Sequence, residues 1–542
     1  MARKSNDSEK GPFLSRRQLL GGAAAGVAAG AVGGFANAAQ ALSPGVPKRV
    51  AQELTADVVV AGAGMGGLTA AVRAQHSGAQ RVILLEKAAQ PGGTCAHSAG
   101  GVANREWDDM RNNNPDGDPV VQRTVYDNIE RFFSFMEEIN APITQPVDRM
   151  PEEFQAATGE RQGRTIAPVV WVRFMAGEFE GNGGTLLTET PLVKLLTNAQ
   201  NEVIGVLARG PDGPVHIRTK AVILATGGWM HNHQLVNQNI TRHHIIQRNV
   251  SHWRETPLFT GDGFFAASEV GAAPSKGGWD GFYGHLLPAR PGRVMEPMVN
   301  VSMYHGQYGV ALNMYGRRFT DESAGKWAGR GPEFTRRNEQ ILNQEVARQP
   351  EGSSIYIWDE PINQERACAE CALGGVDKWL AYQNAGAPVA HAETVQELAD
   401  QIEGWGRGIS SETVHQQVTE YNEAAAADKA WALPIPKTGA EQGHANPLTT
   451  GPFYAILGTA GITATYGGLR ADSQGRVLDR LDRPIPGLFA AGIDIGNFSN
   501  YAYLGNLILG GSYGFVSGSY AARQPEPAGG WVVAPTGAPS PS

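Results

Sequence analysis

Cysteine is scarce: three residues in a chain of 542, an odd number and too few for a disulfide framework. Two of them, Cys368 and Cys371, form a CxxC with no second pair and no βαβ unit around it. That pattern reads as two small helix residues, bridged only in an oxidising compartment, rather than as a metal or redox site. Charge is sparse too, at 18% of residues, with a net of −8 and a pI near 5.9. No face of clustered Lys and Arg is present, which argues against nucleic acid as a partner. Long Leu/Val runs are missing as well, and no internal repeat is found. What is abundant is glycine, with 69 residues. This suits a fold in which backbone must approach a ligand closely.

The one long apolar segment lies at the N-terminus. Ser15–Leu20 (SRRQLL) opens a Gly/Ala-rich run to Phe35, followed by small-x-small sites at Ala36–Ala38 and Ala39–Ala41. The segment resembles a twin-arginine export signal, which carries folded, cofactor-loaded proteins. Its Gly and Ala content gains little from lipid, so a permanent membrane anchor is the weaker reading. Residues 1–41 are therefore expected to be an export signal, giving a periplasmic or otherwise extracytoplasmic protein with no stable membrane span.

Residues 57–67 (DVVVAGAGMGG) organise the rest. Val58, Val59, Val60 and Ala61 suit a buried parallel strand, and the chain then runs through Gly62, Gly64 and Gly67 into an Ala/Leu-rich helix. A strand, a tight glycine turn and a helix start present free N–H groups to a pyrophosphate. The next apolar strand ends at Glu86, about twenty residues on, where a ribose hydroxyl needs an acceptor. Further glycine junctions follow. Residues 91–101 carry four glycines and little bulk, suited to lying against a planar ligand, and a strand ends at Thr226-Gly227-Gly228. Another closes at Gly492, and Gly261-Asp262-Gly263 opens a short helix. Val193–Leu196 and Val203–Ala208 are expected to form a hairpin. Helical patterns are read at 123–139, 335–348, 394–404, 411–427 and 505–522.

These motifs occur in one order, together with residues 316–322 (GRRFTDE), 451–455 (GPFYA) and 487–492 (GLFAAG). Together they resemble the flavoprotein family of fumarate reductase and succinate dehydrogenase, which also holds urocanate reductases and 3-ketosteroid dehydrogenases. The match spans about 55–523. The resemblance implies an α/β fold: a Rossmann-like FAD-binding domain (55–283 and 465–523) with an inserted α+β capping domain (284–464). Residues 524–542, rich in Pro, Gly, Ala and Ser, are expected to be a disordered tail.

The resemblance also implies the FAD contacts. Gly62, Gly64, Met65, Gly66, Gly67, Glu86 and Lys87 would hold the adenosine half. Gly93, Thr94, Cys95, Ser98, Gly100 and Gly101 would lie along the ribityl chain and flavin ring. Val193 would touch the adenine side, Asp262 would hydrogen-bond the flavin side, and Ala225, Thr226, Gly227 and Gly492 would close over the cofactor. Thr94 stands where membrane-bound members carry the histidine that bonds FAD covalently, so FAD is expected to be non-covalent; His97, three residues on, is a flavin-lining or interior residue. Ile493 stands in place of a glutamate for the ribityl chain, with Asp494 as its substitute.

The substrate positions depart from the family. Lys326 occupies the place of the proton-donating arginine, with Arg330 a turn later. The relay residues fall at Ser302 and His305, the paired histidines at Thr463 and Ala464, and a final arginine at Ile508. A dicarboxylate needs several buried cationic donors, so fumarate and succinate are rejected as substrates. Tyr466, Tyr501 and Tyr503 instead suit an uncharged, hydrophobic carbonyl compound. The candidate catalytic residues are Lys326, Tyr503, Tyr466 and Arg330; no metal is expected. The expected function is hydride exchange between flavin and a C–C bond beside a carbonyl. Electrons would pass to or from a separate quinone or redox protein, since no haem-attachment CxxCH and no second flavin domain is present. The alternatives are a 3-ketosteroid-type dehydrogenase specifically, or an FAD-bearing electron-transfer subunit without substrate chemistry.

Overall fold

A computed structural model describes residues 52–98, 100–144, 160–242, 258–289, 301–303, 305–323, 338–367, 378–440 and 443–534. The export segment, Lys326, Arg330, Cys368, Cys371 and residues 535–542 lie outside the described residues.

Six strands form the central sheet: β1 (Val58–Ala61), β2 (Val82–Leu85), β3 (Thr185–Leu187), β4 (Ala221–Leu224), β5 (Arg476–Leu478) and β6 (Pro484–Ala490), in spatial order β5-β6-β4-β1-β2-β3. All neighbours are parallel except β5 and β6. Every residue of β1, β2 and β4 is buried, as a parallel sheet covered on both faces requires. From β1 the chain steps to β2 on one side while β4 lies on the other. This opens the crevice at the carboxyl ends where open α/β sheets take ligands.

The helix after the glycine turn, α1 (Met65–His76), lies against α2 (Pro119–Glu138) and α3 (Asn506–Ala521) in one apolar core. Backbone meets backbone between α1 and α3. A Cβ on Gly514 would stand 2.6 Å from the Gly66 carbonyl oxygen, and one on Gly518 would stand 2.5 Å from that of Ala70. A four-residue glycine spacing thus makes a flat stripe, and α3 seats itself on α1 through it.

A second sheet pairs Gln52–Thr55, Gly213–Arg218, Val203–Gly210 and Leu192–Thr197 in that order. It contains the expected hairpin, with Leu195 opposite Val206. The tail does not become disordered at 524. Gly529 N–H donates to Glu202 Oε2 at 2.7 Å, Asn198 Nδ2 to the Gly530 carbonyl at 3.1 Å, and Ala534 N–H to Thr197 O at 2.8 Å. The low bulk that suggested disorder lets this segment lie flat on the hairpin turn, where two polar side chains capture its backbone.

The cap is built on Ser353–Trp358 and Phe453–Ala460, paired antiparallel and flanked by Leu286–Pro288, Val310–Leu312 and Val389–Ala392. Two apolar clusters cover its faces, and the first already includes Trp229, Met230 and Val236. The 316–322 motif has a structural role here. Buried Arg318 meets fully buried Glu322 at 2.6 Å, Glu322 Oε1 accepts Ala311 N–H at 3.0 Å, and Arg318 donates to the Ile435 carbonyl at 2.6 Å. Among the described residues, no helix is long and apolar enough to cross a membrane.

Gly514→Val should destabilise the protein by about 1–3 kcal/mol or more through overpacking and loosen the α1 N-terminus. Denaturant melts of the apoprotein, with FAD retention through gel filtration as a second readout, check this. Unchanged stability would contradict the backbone contact.

Candidate cofactor and substrate site

A cleft enclosing about 940 Å³ of space, part of it open to solvent, lies at the carboxyl ends of β1, β2 and β4. Its floor is the glycine turn. Gly62 sits at φ +102°, where its Cβ would strike the Ala225 carbonyl oxygen at 2.1 Å. Gly64, which caps α1, offers no side-chain cap, and the first turn of the helix carries no acid. The N-terminal N–H groups of α1 are therefore left for an anion at the cavity wall. That uncapped helix end, facing Gly64, Met65 and Gly66, is the observation that fits a dinucleotide pyrophosphate.

Most of the expected cofactor residues are brought together. Gly62, Gly64, Met65, Gly66, Glu86 and Lys87 line the cavity; so do Gly93, Thr94 and Cys95, and so do Ala225, Thr226, Gly227, Asp262 and Gly492. Burial pushes the Cys95 thiol up to about 12, so it stays a neutral wall residue.

The polar members act differently from the reading by position. Glu86 spans the turn: Oε2 accepts Ala63 N–H at 2.9 Å and Oε1 accepts Ala88 N–H at 2.7 Å. Each oxygen keeps a lone pair for a ribose hydroxyl. Lys87 Nζ donates to Asp262 Oδ2 at 2.9 Å, Thr260 Oγ1 at 2.9 Å and the Leu258 carbonyl at 3.2 Å, which uses its three protons. Lys87 and Asp262 thus fasten the 258–263 segment to the end of β2 as well as lining the cleft.

Six expected contacts do not line the cavity. Val193 is half exposed, and its neighbours Thr190, Pro191 and Leu192 line the cleft instead; strand alternation turns Val193 outward. Gly67 is packed inside the turn, where a Cβ would lie 1.7 Å from Gly62 O. Gly100 is pressed against Ile166 O, Gly101 begins a strand that pairs with Glu160–Thr165, and Ser98 Oγ bonds Cys95 O at 2.8 Å. Asp494 lies one layer behind. Its carboxylate accepts from Thr226 Oγ1 at 2.9 Å and Gly227 N–H at 2.7 Å, while Thr226 Oγ1 in turn accepts Gly263 N–H at 2.9 Å. Two cavity segments are tied to this carboxylate, 226–227 directly and 262–263 through Thr226, and burial pushes its pKa up to about 7. Residues the sequence reading missed include Phe259 and Asn506. Asn506 begins α3, whose start lines the cleft together with Leu507.

The tyrosines cluster next to that helix start. Tyr503 Oη accepts the Asn506 N–H at 2.9 Å, and its ring stacks on Tyr283 with centroids 3.7 Å apart and planes 14° from parallel. Tyr466 is 4% exposed, and its hydroxyl has no hydrogen-bond partner among the described residues. Burial raises both phenols, Tyr466 well above its ordinary value, so both remain proton-bearing donors at neutral pH. At the relay positions, Ser302 and His305 are fully buried. Neither His305 nitrogen has a partner among the described residues, and burial and nearby Lys378 hold its pKa down to about 3, so the ring is neutral at neutral pH and packs among Tyr356 and Trp358.

Cleft, uncapped helix and cap together define a dinucleotide-binding oxidoreductase. The FAD binding domain family matches residues 155–506, and the FAD dependent oxidoreductase family matches 57–228; the chain belongs to the FAD binding domain family. It is 25% identical over 502 residues to the probable fumarate reductase Ifc3 of Shewanella frigidimarina, covering 86% of this chain and 75% of that one. It is also 25% identical over 498 residues to vinyl phenol reductase of Lactiplantibacillus plantarum, covering 86% and 95%. The fold is shared with 3-ketosteroid delta1-dehydrogenase from Sterolibacterium denitrificans, with a TM-score of 0.65 at 19% identity over 86% of this chain and 99% of that one. The protein is an FAD-dependent oxidoreductase acting on CH–CH bonds.

Asp494 generates a pH prediction. Its folded pKa, about 7, lies above the ordinary 3.8, so folding takes up a proton and stability falls as pH rises from about 4 through 7. Asp494→Asn removes that dependence and one acceptor. The stability gap between wild type and variant should therefore be widest at about pH 4 and narrow steadily as pH rises through 7, read from apoprotein denaturant melts. A gap that widens with pH contradicts the assignment.

Proposed function

We propose that this chain is an exported enzyme whose non-covalent FAD exchanges hydride, at flavin N5, with a C–C bond beside the carbonyl of a hydrophobic, non-dicarboxylate substrate. The observation that carries this is the buried hydroxyl of Tyr466, without a partner among the described residues, beside Tyr503, whose hydroxyl accepts a backbone N–H and keeps its own proton to give. Two neutral donors match a carbonyl oxygen that gains charge as the adjacent C–C bond accepts hydride. They do not match two carboxylates, which need cations once desolvated.

Bound FAD supplies the hydride chemistry; the residues of this chain bind, orient and handle the proton. The turn at 62–66 would hold the pyrophosphate and Glu86 the ribose. Thr94, where a covalent link would need histidine, would leave the ring free of a bond to protein. Tyr466 and Tyr503 would orient the carbonyl, and the apolar walls of Leu507 and Ile508 would exclude water. Electrons would enter or leave through a separate quinone or redox protein. Relatives named for vinyl phenol reduction and for 3-oxosteroid 1-dehydrogenation favour a ring-bearing substrate. Export rests on Arg16 and Arg17 ahead of the Gly/Ala-rich run.

The test is anaerobic reoxidation of reduced holoprotein by fumarate, 4-vinylphenol, cyclohex-2-enone and 1,4-androstadiene-3,17-dione, followed by the oxidised-flavin band. The carbonyl compounds should reoxidise it and fumarate should not. Rapid reoxidation by fumarate would overturn the proposal, and silence toward every compound would favour the electron-transfer subunit. Tyr466→Phe should slow the productive reaction about 10²-fold. The same variant should be more stable as apoprotein by about 1 kcal/mol, because it deletes an unsatisfied buried hydroxyl. Loss of both rate and stability would mark Tyr466 as packing only.

A further inference from the structure

The segment that leads into α3 is held largely from outside itself. Residues 497–505 contain no strand or helix, and their buried polar groups are met by residues 105–122. Asp118 N–H donates to the Asn497 carbonyl at 2.7 Å, Gln122 Nε2 to that of Phe498 at 3.0 Å, and Arg105 Nε to that of Leu504 at 3.0 Å. At the centre of this set is Asn114, which follows the helix Trp107–Asn113 and is completely buried. Its Oδ1 accepts three successive backbone N–H groups, those of Asn500, Tyr501 and Ala502, at 2.8, 2.9 and 3.1 Å. Successive N–H groups aimed at one point make an electropositive nest of the kind that takes an anion. Here a neutral amide oxygen of the same chain fills it. Asn114 Nδ2 has no partner among the described residues, so the oxygen is what this side chain contributes.

The nest stands between the cleft and the cap. The Tyr501 carbonyl accepts Gln344 Nε2 at 2.7 Å, from the helix Asn338–Ala347, which packs on the cap sheet. Tyr501 is thus gripped through its N–H by Asn114 and through its C=O by the cap. A few residues on, the chain enters the cleft: Asn506, Leu507 and Gly510 line it, and α3 starts there without a side-chain cap. We propose that Asn114 is a positioning residue for the cofactor cleft: by filling the nest it fixes residues 497–505, and with them the first turn of α3 where it walls the cleft. The assignment rests on the FAD site and is independent of which substrate is used. Without the oxygen, three N–H groups lose their acceptor, and the segment must shift to find others. FAD binding would then have to restore the α3 wall, and affinity would fall by the cost of that ordering.

The experiment compares wild type, Asn114→Leu and Asn114→Asp, as apoprotein and after titration with FAD. Asn114→Leu is close in shape and removes the acceptor. It should raise the FAD dissociation constant, measured by equilibrium dialysis, by about 10-fold or more, and change the visible circular dichroism of the bound flavin. Asn114→Asp keeps an oxygen in the nest and should bring both readouts back toward wild type. Hydrogen exchange of the apoprotein, followed by mass spectrometry, reads the same contact without cofactor. The peptide covering 497–505 should exchange faster in Asn114→Leu and regain protection in Asn114→Asp, while residues 58–61 and 221–224 keep theirs. If protection is lost throughout the chain, Asn114→Ser, whose hydroxyl is too short to reach all three N–H groups, replaces the leucine variant with the same expectations. Wild-type FAD affinity in a folded variant that lacks the acceptor would overturn the proposal and leave Asn114 as a tie within the fold. An aspartate variant that recovers neither affinity nor local protection would overturn it as well.

Discussion

Two contacts that admit no Cβ hold the site in place. The Gly62 backbone lies against the Ala225 carbonyl, and Gly67 closes back on Gly62. The first joins the end of β1 to the end of β4; the second sets the angle at which α1 leaves the turn. Because α1 leaves at that angle, its uncapped N–H groups face the cleft. The same demand for bare backbone continues along α1, where Gly514 and Gly518 of α3 press on the carbonyls of Gly66 and Ala70. With α3 held there, its first residues, Asn506 and Leu507, form the opposite wall of the cleft. Both walls thus descend from one steric constraint, and the high glycine content is its compositional trace.

Around this frame, charged side chains act as splints as well as cavity walls. Lys87 gives all its protons to Asp262, Thr260 and Leu258, and Asp494 gathers Thr226 and Gly227 from behind the wall. Glu86 bridges Ala63 and Ala88. Each ties a loop to the sheet at a strand end, where the polypeptide would otherwise have few apolar contacts. Pre-organising loops in this way moves the entropy of ordering them into folding, leaving less to be lost when a cofactor enters.

The sequence made the frame legible because steric demands are local. The β1 apolar run, the glycine spacing and Glu86 lie within thirty residues, and each has one geometric solution. The hairpin at 193–208 and the helices at 338–347, 395–403, 411–426 and 506–521 were legible from periodicity alone. Contacts that depend on phase were less so. One residue of strand alternation separates Val193, turned outward, from Leu192, in the wall. Asp494 was recognised as a polar substitute, but no sequence pattern says that its carboxylate faces Thr226 rather than the ligand. The tail was misjudged for a related reason: its partners, Glu202 and Asn198, are some 330 positions away. Asn114 also went unseen, since the three N–H groups it accepts lie 386 to 388 positions further along.

The substrate end follows a different electrostatic logic from the pyrophosphate end. At the turn, a helix terminus offers partial positive charge without a mobile counter-ion, which suits a permanently charged ligand. Tyr466 and Tyr503, which lie behind the start of α3 rather than in the cavity lining, are kept neutral by burial and so present dipoles rather than charges. Tyr466 and Tyr503 themselves would offer a dicarboxylate no cation to offset its lost hydration, a penalty of several kcal/mol per ion. A ketone loses little hydration on entry and finds donors already fixed. Their effect is greatest when its oxygen becomes negative during hydride exchange. On the function proposed above, neutral donors would discriminate twice, against charged substrates at binding and in favour of conjugated carbonyls at the transition state. Tyr466 is the specific case: its buried hydroxyl has no partner among the described residues, and a carbonyl acceptor is the kind of ligand that would satisfy it.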